Sequence, residues 1–153
     1  IGSSYSLSLT PLLVSPGDSI SCTYTSSDGT DSASQSTLVT IDNTAPSIDD
    51  ISIIPTSPYL GDTLNCLVTV SDDDLDNTTE TYIWENQTTG YTLSTSSSLE
   101  LTSVNASPND VLACTVTTTD PSGATASDTA TTTIGNLPPS IDDLFPFSFK
   151  NFS

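Results

Sequence analysis

The chain has 153 residues and a formal net charge of −18, because 19 acidic residues face a single basic residue, Lys150. This balance excludes nucleic acid as a partner, since little here can neutralise phosphates, and it disfavours an anionic membrane surface. Soluble divalent cations are the natural counter-charge. No run of about 18 apolar residues is present, so no segment is predicted to span a membrane.

Ser, Thr, Val and Ile are abundant, and apolar residues often alternate with polar ones, as in Leu64-x-Cys66-x-Val68-x-Val70. Alternation with a period of two predicts half-buried strands, and turn residues separate the alternating runs. Short strands at this spacing indicate an all-β sandwich. In chain order, the predicted strands are 5–10, 19–26, 33–41, 48–54, 63–71, 80–85, 91–94, 97–102, 111–119 and 124–134.

Two sequence motifs occur twice at nearly the same separation. The motif Pro46–Asp50 returns 93 positions later as Pro139–Asp143, and Ser15–Asp18 returns 92 positions later as Ser107–Asp110. A repeat of this length is one small domain, so tandem repeats of about 93 residues are predicted. The predicted units are the C-terminal half of one repeat (1–43), a complete domain (44–136), and the first strand of a following repeat or a donor strand (137–153).

Two cysteines of the complete unit, Cys66 and Cys114, flank Trp84 in the sequence. This Cys–Trp–Cys arrangement resembles the immunoglobulin-like fold, with a cysteine on the second strand, a tryptophan on the third and a cysteine on the sixth. The resemblance implies an immunoglobulin-like β-sandwich with a Cys66–Cys114 disulfide packed on Trp84 in the core. Two buried free thiols are the alternative. Because Leu112 stands where antibody domains carry a tyrosine, a prokaryotic cell-surface version of the fold is expected.

The third cysteine, Cys22, matches Cys114 in the repeat. Its expected partner is the counterpart of Cys66 in a preceding unit. A free thiol, or a bond to another chain, is the alternative.

Aspartates follow both disulfide cysteines at the same distance. Asp72 lies six positions after Cys66, and Asp120 lies six positions after Cys114. In an immunoglobulin-like sandwich these two strands run in the same direction, so both carboxylates are expected at one end of the domain, where the linker also enters. Calcium prefers six to eight oxygen ligands. The predicted metal ligands are Asp42, Asp72, Asp73, Asp74 and Asp120.

This arrangement is similar to cadherin-type arrays, in which calcium stiffens each joint, although the cadherin linker motif is missing. The run Asp72–Asp74 lacks the alternate spacing and the glycine of an EF-hand loop. A solvated acidic loop that keeps the protein soluble is the alternative.

Four Asn-x-Ser/Thr tripeptides occur in predicted loops or strand ends, where a glycan could point outward. The predicted glycosylation sites are Asn77, Asn86, Asn105 and Asn151.

The sequence contains no His and no Arg, so no general base near neutral pH is apparent and the protein is not expected to be an enzyme. The preferred prediction is an extracellular structural or adhesive module of a cell-surface stalk or fibre, with neighbouring repeats or subunits as partners. One alternative is a filament subunit assembled by strand donation, with the Phe-rich tail 144–152 as donor. The other is a carbohydrate-binding module of an exported enzyme.

Overall fold

A computed structural model describes residues 5–139 of the chain, and these residues form nine β-strands. No helix within 5–139 is long and apolar enough to cross a membrane. The strands are β1 Ser19–Ser27, β2 Ser32–Thr40, β3 Ser47–Ile54, β4 Thr63–Ser71, β5 Thr79–Asn86, β6 Tyr91–Ser94, β7 Ser98–Glu100, β8 Val111–Thr119 and β9 Thr125–Thr133.

Seven of these strands form a two-sheet sandwich. One sheet has the order β3-β4-β7 and the other has the order β6-β5-β8-β9, and the pairs that hold them together are antiparallel. The chain passes from one sheet to the other after β4, β6 and β7, as in an immunoglobulin-like sandwich. The chain from β3 to β9 is an all-β, immunoglobulin-like domain.

The core of the sandwich is formed by the inward-facing positions of the alternating runs. On β8, Leu112, Cys114 and Val116 are fully buried, and between them lie residues that face the other side of the sheet. Because side chains alternate between the two faces of a strand, this period of two is the physical basis of the pattern seen in the sequence. The other buried core residues are Ile53, Leu64, Cys66, Trp84, Leu99, Leu101, Ala106 and Ile134.

The strands β1 and β2 form a separate two-stranded hairpin before the sandwich. Ser19 pairs with Thr40 at one end and Ser27 pairs with Ser32 at the turn. Apart from the partly buried Ile20, every residue of the two strands is exposed.

One predicted strand is wrong. Residues 5–10 correspond to 97–102 in the repeat, yet they have no strand conformation. In the sandwich, β7 is a strand because it pairs with β4, for example Leu99 with Leu64. The chain from 5 to 43 contains no counterpart of β4, so the backbone groups of residues 5–10 have no ladder to join.

The hairpin β1–β2 and the hairpin β8–β9 at the end of the sandwich each have equivalent backbone hydrogen bonds at their bases. The Gly17 N–H donates to the Ile41 carbonyl at 2.8 Å, and at the corresponding place the Asn109 N–H donates to the Ile134 carbonyl at 2.8 Å. The Val14 N–H donates to the Thr10 carbonyl, as the Ala106 N–H donates to the Thr102 carbonyl. The Ile41 N–H donates to the Asp18 carbonyl, as the Ile134 N–H donates to the Asp110 carbonyl. Residues 10–41 and 102–134 therefore share these local hydrogen bonds, whereas the turns between their strands, 28–31 and 120–124, differ by one residue.

The same tight turn precedes a strand three times, and each copy ends in an aspartate whose carboxylate holds the turn. In each turn the Asp carboxylate accepts a hydrogen bond from the backbone N–H three positions earlier, and the residue before the Asp has a positive φ angle. Glycine adopts that conformation without steric cost, and asparagine tolerates it. The turns end at Asp18 after Gly17 (φ 85°), Asp62 after Gly61 (φ 96°), and Asp110 after Asn109 (φ 72°).

Candidate functional site

The loop after β4 brings three carboxylates together. One oxygen from each of Asp72, Asp74 and Asp76 lies within 4.8 Å of the others, and all three side chains are half-buried. The loop folds back because the N–H groups of Asp74 and Asp76 both donate to Asp72 Oδ1, at 2.8 and 3.3 Å. Leu75 lies at the bend with a φ of 63°, the left-handed region that a bulky residue seldom adopts.

One atom of this group has no hydrogen-bond donor. Asp72 Oδ2 is buried and accepts no hydrogen bond from the residues that the structure describes. A buried carboxylate oxygen without a donor or a cation is costly. Oxygen atoms of this kind are also the ligands that calcium prefers.

The linker between the hairpin and the sandwich is bound to this acidic end. The Asn43 side-chain amide donates to Asp120 Oδ2 at 2.8 Å, and the Thr44 N–H donates to Asp74 Oδ2 at 2.6 Å. Asp73 and Asp74 also line a shallow depression with Val14 and other residues of the first 41. The linker and the domain end are therefore joined by specific contacts.

The electrostatics of this end differ between two neighbouring carboxyl groups. Desolvation, together with the charges of Asp72, Asp74 and Asp120, raises the pKa of Asp76. By contrast, the pKa of Asp120 is lowered, chiefly by the hydrogen bond from Asn43 and also by those from Ser122 and Ala124. The crowded loop thus disfavours an additional negative charge at Asp76, whereas Asp120 is held as a hydrogen-bonded carboxylate.

The structure groups the predicted metal ligands differently from the sequence expectation. Asp72 and Asp74 lie in the three-carboxylate group, and Asp120 is next to it. Asp42 and Asp73 are exposed and do not belong to that group. Asp76, which was not among the predicted ligands, takes their place.

The signal for Asp76 is present in the sequence. Asp72, Asp74 and Asp76 are spaced by two, so the loop has alternate acidic spacing once Asp76 is included, and the prediction from Asp72–Asp74 is wrong on this point. What the run does lack is the following glycine, since Asn77 stands there. Carboxylates spaced by two face the same side when the intervening residues point outward, as Asp73 and Leu75 do.

The cysteine and tryptophan framework lies in the core. Cys66 and Cys114 form a disulfide that joins the two sheets, with their Cα atoms 6.4 Å apart. Trp84 is 0% exposed, and its indole N–H donates to the Ser96 carbonyl at 3.0 Å. Cys22, the counterpart of Cys114, is a free and exposed thiol in the structure.

Three of the predicted glycosylation sites lie in the described residues, and they differ in accessibility. Asn77 is exposed. Asn105 is half-buried, and its amide accepts from the Thr102 N–H and donates to the Glu100 carbonyl, both at 2.9 Å. Asn151 lies outside the described residues.

Asn86 does not fit its predicted role as a glycan acceptor. Its side chain is 1% exposed, and the amide donates to Asp110 Oδ2 at 2.7 Å. The amide oxygen accepts from the N–H groups of Thr88 and Thr89. A glycan on Asn86 is incompatible with this fold, because the nitrogen that would carry it points into the domain.

Comparisons with known proteins give one similar structure. No family model matches the chain, and no curated protein matches it. Among solved structures, the PKD1 domain of Vibrio anguillarum Epp is similar with a TM-score of 0.42 and 20% identity, over 61% of this chain and 98% of that one. The immunoglobulin-like sandwich of this protein is established by its own strand order, disulfide and core.

Proposed function

We propose that the chain is a structural module of an extracellular stalk or fibre, built from tandem immunoglobulin-like units of about 93 residues. The observation that carries the proposal is the correspondence between residues 10–41 and 102–134, which share hydrogen bonds and turns. A module that recurs along one chain is suited to setting a distance, because each unit adds its own length. Residues 44–136 are one whole unit in this proposal.

The linker contacts support a defined joint between units. Asn43 and Thr44 bind carboxylates at the entrance of the next domain, so the joint is not a free tether. The counterpart of Asn43 one repeat later is Asn136, which follows the same domain exit. A stalk needs such joints, since flexible linkers would let it collapse.

An extracellular location is part of the proposal. The Cys66–Cys114 disulfide is of the kind that persists in oxidising surroundings and is rare in a reducing cytosol. The net charge of −18 favours solubility and repulsion between neighbouring copies. Among the sequons within residues 5–139, Asn77 is the one whose exposure best allows a glycan.

Two measurements test this function. A polyprotein of four copies of residues 44–136 should lengthen by at least about 30 Å per unit in electron micrographs, since a nine-residue strand is about 30 Å long. On intact cells of the source organism, antibody against the domain should label the surface, and external protease should remove the label. Compact polyproteins, or label that appears only after lysis, would contradict the proposal.

The two other functions have weaker support. A filament subunit assembled by strand donation is compatible with the open hairpin, but its proposed donor, 144–152, lies outside the described residues. A carbohydrate-binding module needs an exposed aromatic platform, and Trp84 is buried in the core. A catalytic role is not proposed, since the sequence lacks His and Arg.

We further propose calcium as the counter-ion of the loop that contains Asp72, Asp74 and Asp76. The support is the approach of three carboxylate oxygens within 4.8 Å and the buried Asp72 Oδ2 without a donor. A divalent cation would offset the repulsion among these groups and fix the linker that Asp74 binds. Calcium would then stiffen the joint.

The calcium proposal is tested by thermal melts in calcium and in chelator. Binding should stabilise the domain by about 2.7 kcal/mol when free calcium exceeds the dissociation constant a hundredfold. Asp74→Asn should remove this gain, and Asp73→Asn, which changes an exposed neighbour outside the group, should keep it. If millimolar calcium leaves the parent melting temperature unchanged, the loop is a solvated acidic surface.

A further inference from the structure

The hairpin β1–β2 has one face that matches the buried face of β8–β9 but lies open. Its counterparts of Leu112, Cys114 and Val116 are Ile20, Cys22 and Tyr24. Leu112, Cys114 and Val116 are 0% exposed. By contrast, Tyr24 is 72% exposed and Cys22 is an exposed thiol. On β2, Val39 is opposite Ile20 and is also exposed.

The opposite face of the hairpin corresponds to the solvent-facing side of β8–β9. The hydroxyls of Thr23 and Ser36 are hydrogen-bonded at 2.8 Å, as are their counterparts Thr115 and Thr129. The hairpin is therefore not a generic exposed ribbon. One face matches the solvated face of the complete domain, and the other matches its core.

The edge of β1 is open as well. In the sandwich, β8 pairs with β5 from Leu112 to Thr119, and Trp84 is opposite Cys114. The described residues 5–139 provide no strand beside β1 other than β2. An open edge next to an apolar face is suited to the addition of a strand from another segment.

We propose that the hairpin β1–β2 is a docking surface for the front half of a like unit, meaning a segment equivalent to residues 44–92. In the complete domain, residues 44–92 supply β3, β4 and β5. β3 and β4 pack across the buried face of β8–β9, and β5 pairs with the edge of β8. The same cover on the hairpin adds a β5-like strand to β1, buries Tyr24 and brings a Cys66 counterpart to Cys22. This inference rests on the proposed tandem units.

The match also includes residues before the hairpin. Ser6-Leu7-x-Leu9-Thr10 corresponds to Ser98-Leu99-x-Leu101-Thr102. Leu99 and Leu101 are buried in the core of the domain, whereas Leu7, the counterpart of Leu99, is 71% exposed. The docked segment would therefore also order residues 5–10 as a strand like β7.

The first test presents the front half to the folded, oxidised full chain. The probe is a peptide of residues 44–92 of this same sequence, in a glutathione redox buffer. We expect a one-to-one adduct with a disulfide between Cys22 of the chain and Cys66 of the peptide, identified by peptide mapping. Tyr24→Asp, on the apolar face, should reduce the yield at least about tenfold, because it places a charge in the new core.

The matched control is Thr23→Asp, on the solvated face of the same strand. It should leave the yield within about twofold, since its counterpart Thr115 faces away from the core. Equal loss in both variants, no adduct, or a Cys22–Cys22 dimer between chains as the main product would overturn the proposal.

A second measurement covers the case in which the free peptide aggregates. In a fusion that places residues 44–92 before residue 1 of the full chain, Cys22 should resist alkylation without reductant. Amide exchange in β1 should slow by about 100-fold or more relative to the parent chain, as in core strands. Unchanged exchange with full alkylation would overturn the docking proposal. These outcomes do not depend on cell-surface labelling or on polyprotein length, so the proposed function can fail separately.

Discussion

The two hairpins β1–β2 and β8–β9 have similar sequences, the same strand register and matching hydrogen bonds before their first strands, yet β1–β2 is exposed and β8–β9 has a buried face. Val116 is 0% exposed and its counterpart Tyr24 is 72% exposed. The backbone conformation of the hairpin is therefore set by its own turns and pairing. Burial is set by a front half that only β8–β9 has within residues 5–139.

This difference separates what local sequence encodes from what needs distant segments. Turn residues and cross-strand pairs are local, so both hairpins form them. A core requires residues from several strands on two sheets, so among residues 5–139 the cluster of buried apolar residues lies in the complete unit. Matched positions of the two hairpins should therefore differ in their contribution to stability, according to whether they lie in a complete unit.

The largest expected difference concerns the cysteines. Replacing Cys66 and Cys114 together by Ser should lower the free energy of unfolding by about 4 kcal/mol, the chain-entropy value for a loop of this length. Their separation is 48 residues. Cys22→Ser should leave the main unfolding transition within about 0.5 kcal/mol, since that thiol is exposed. Urea denaturation of the full chain measures both, and similar losses would contradict the comparison.

The second comparison concerns the apolar faces. Val116→Ala should lower the free energy of unfolding by about 2 kcal/mol, because it removes two buried methyl groups and leaves a cavity. Tyr24→Ala, at the corresponding exposed position, should change the main transition by less than about 0.5 kcal/mol. A comparable loss for both in urea denaturation would show that the described residues already bury the hairpin face.

The third comparison concerns two turn aspartates. Asp18 and Asp110 each accept a hydrogen bond from the N–H three positions earlier, both at 2.9 Å. Only Asp110 also accepts from Asn86, which is buried and would lose its partner. Asp110→Ala should therefore cost about 2 kcal/mol, and Asp18→Ala should leave the main transition unchanged. The midpoint of urea unfolding measures both effects, and a nearly neutral Asp110→Ala would mean that Asn86 finds another acceptor.

Strand positions were largely predictable from sequence, because alternation and turns are local signals. The prediction of 91–94 and 111–119 matches β6 and β8. Residues 5–10 have the same pattern and form no strand, because the pattern does not show whether a pairing strand exists. Propensity is decided by tertiary context at such positions.

The candidate site was less predictable for the same reason. The placement of Asp72 and Asp120 near one end followed from the cysteine register, but Asp76 enters the group through the fold of its loop. The sequon at Asn86 satisfies a three-residue rule that contains no information on burial. A buried, hydrogen-bonded asparagine and a solvent-exposed one cannot be distinguished by this sequence rule.

The smallest expected effect concerns the acidic joint, which within residues 5–139 lies at the entrance of the complete unit. Desolvation and three neighbouring carboxylates raise the pKa of Asp76 above its ordinary value of 3.8. A carboxyl group whose pKa is raised in the folded state destabilises that state when it is ionised. This cost is present at neutral pH and disappears as the pH falls through the raised pKa. Asp76→Asn should therefore raise the melting temperature modestly at pH 7 in chelator, with a gain that vanishes in acid.

Asp120 should respond with the opposite sign. Its pKa is lowered, chiefly by the hydrogen bond from Asn43, so its stabilising effect is present above the unfolded value of 3.8 and is lost as the pH falls through the folded pKa. Asp120→Asn should lower the melting temperature at pH 7, and the loss should shrink in acid. Thermal melts of the parent and both variants from pH 7 to pH 3 measure the two trends. If Asp76→Asn destabilises the domain at pH 7 in chelator, the carboxylates of the loop are not in conflict there, and the physical reason for a cation at this joint is removed.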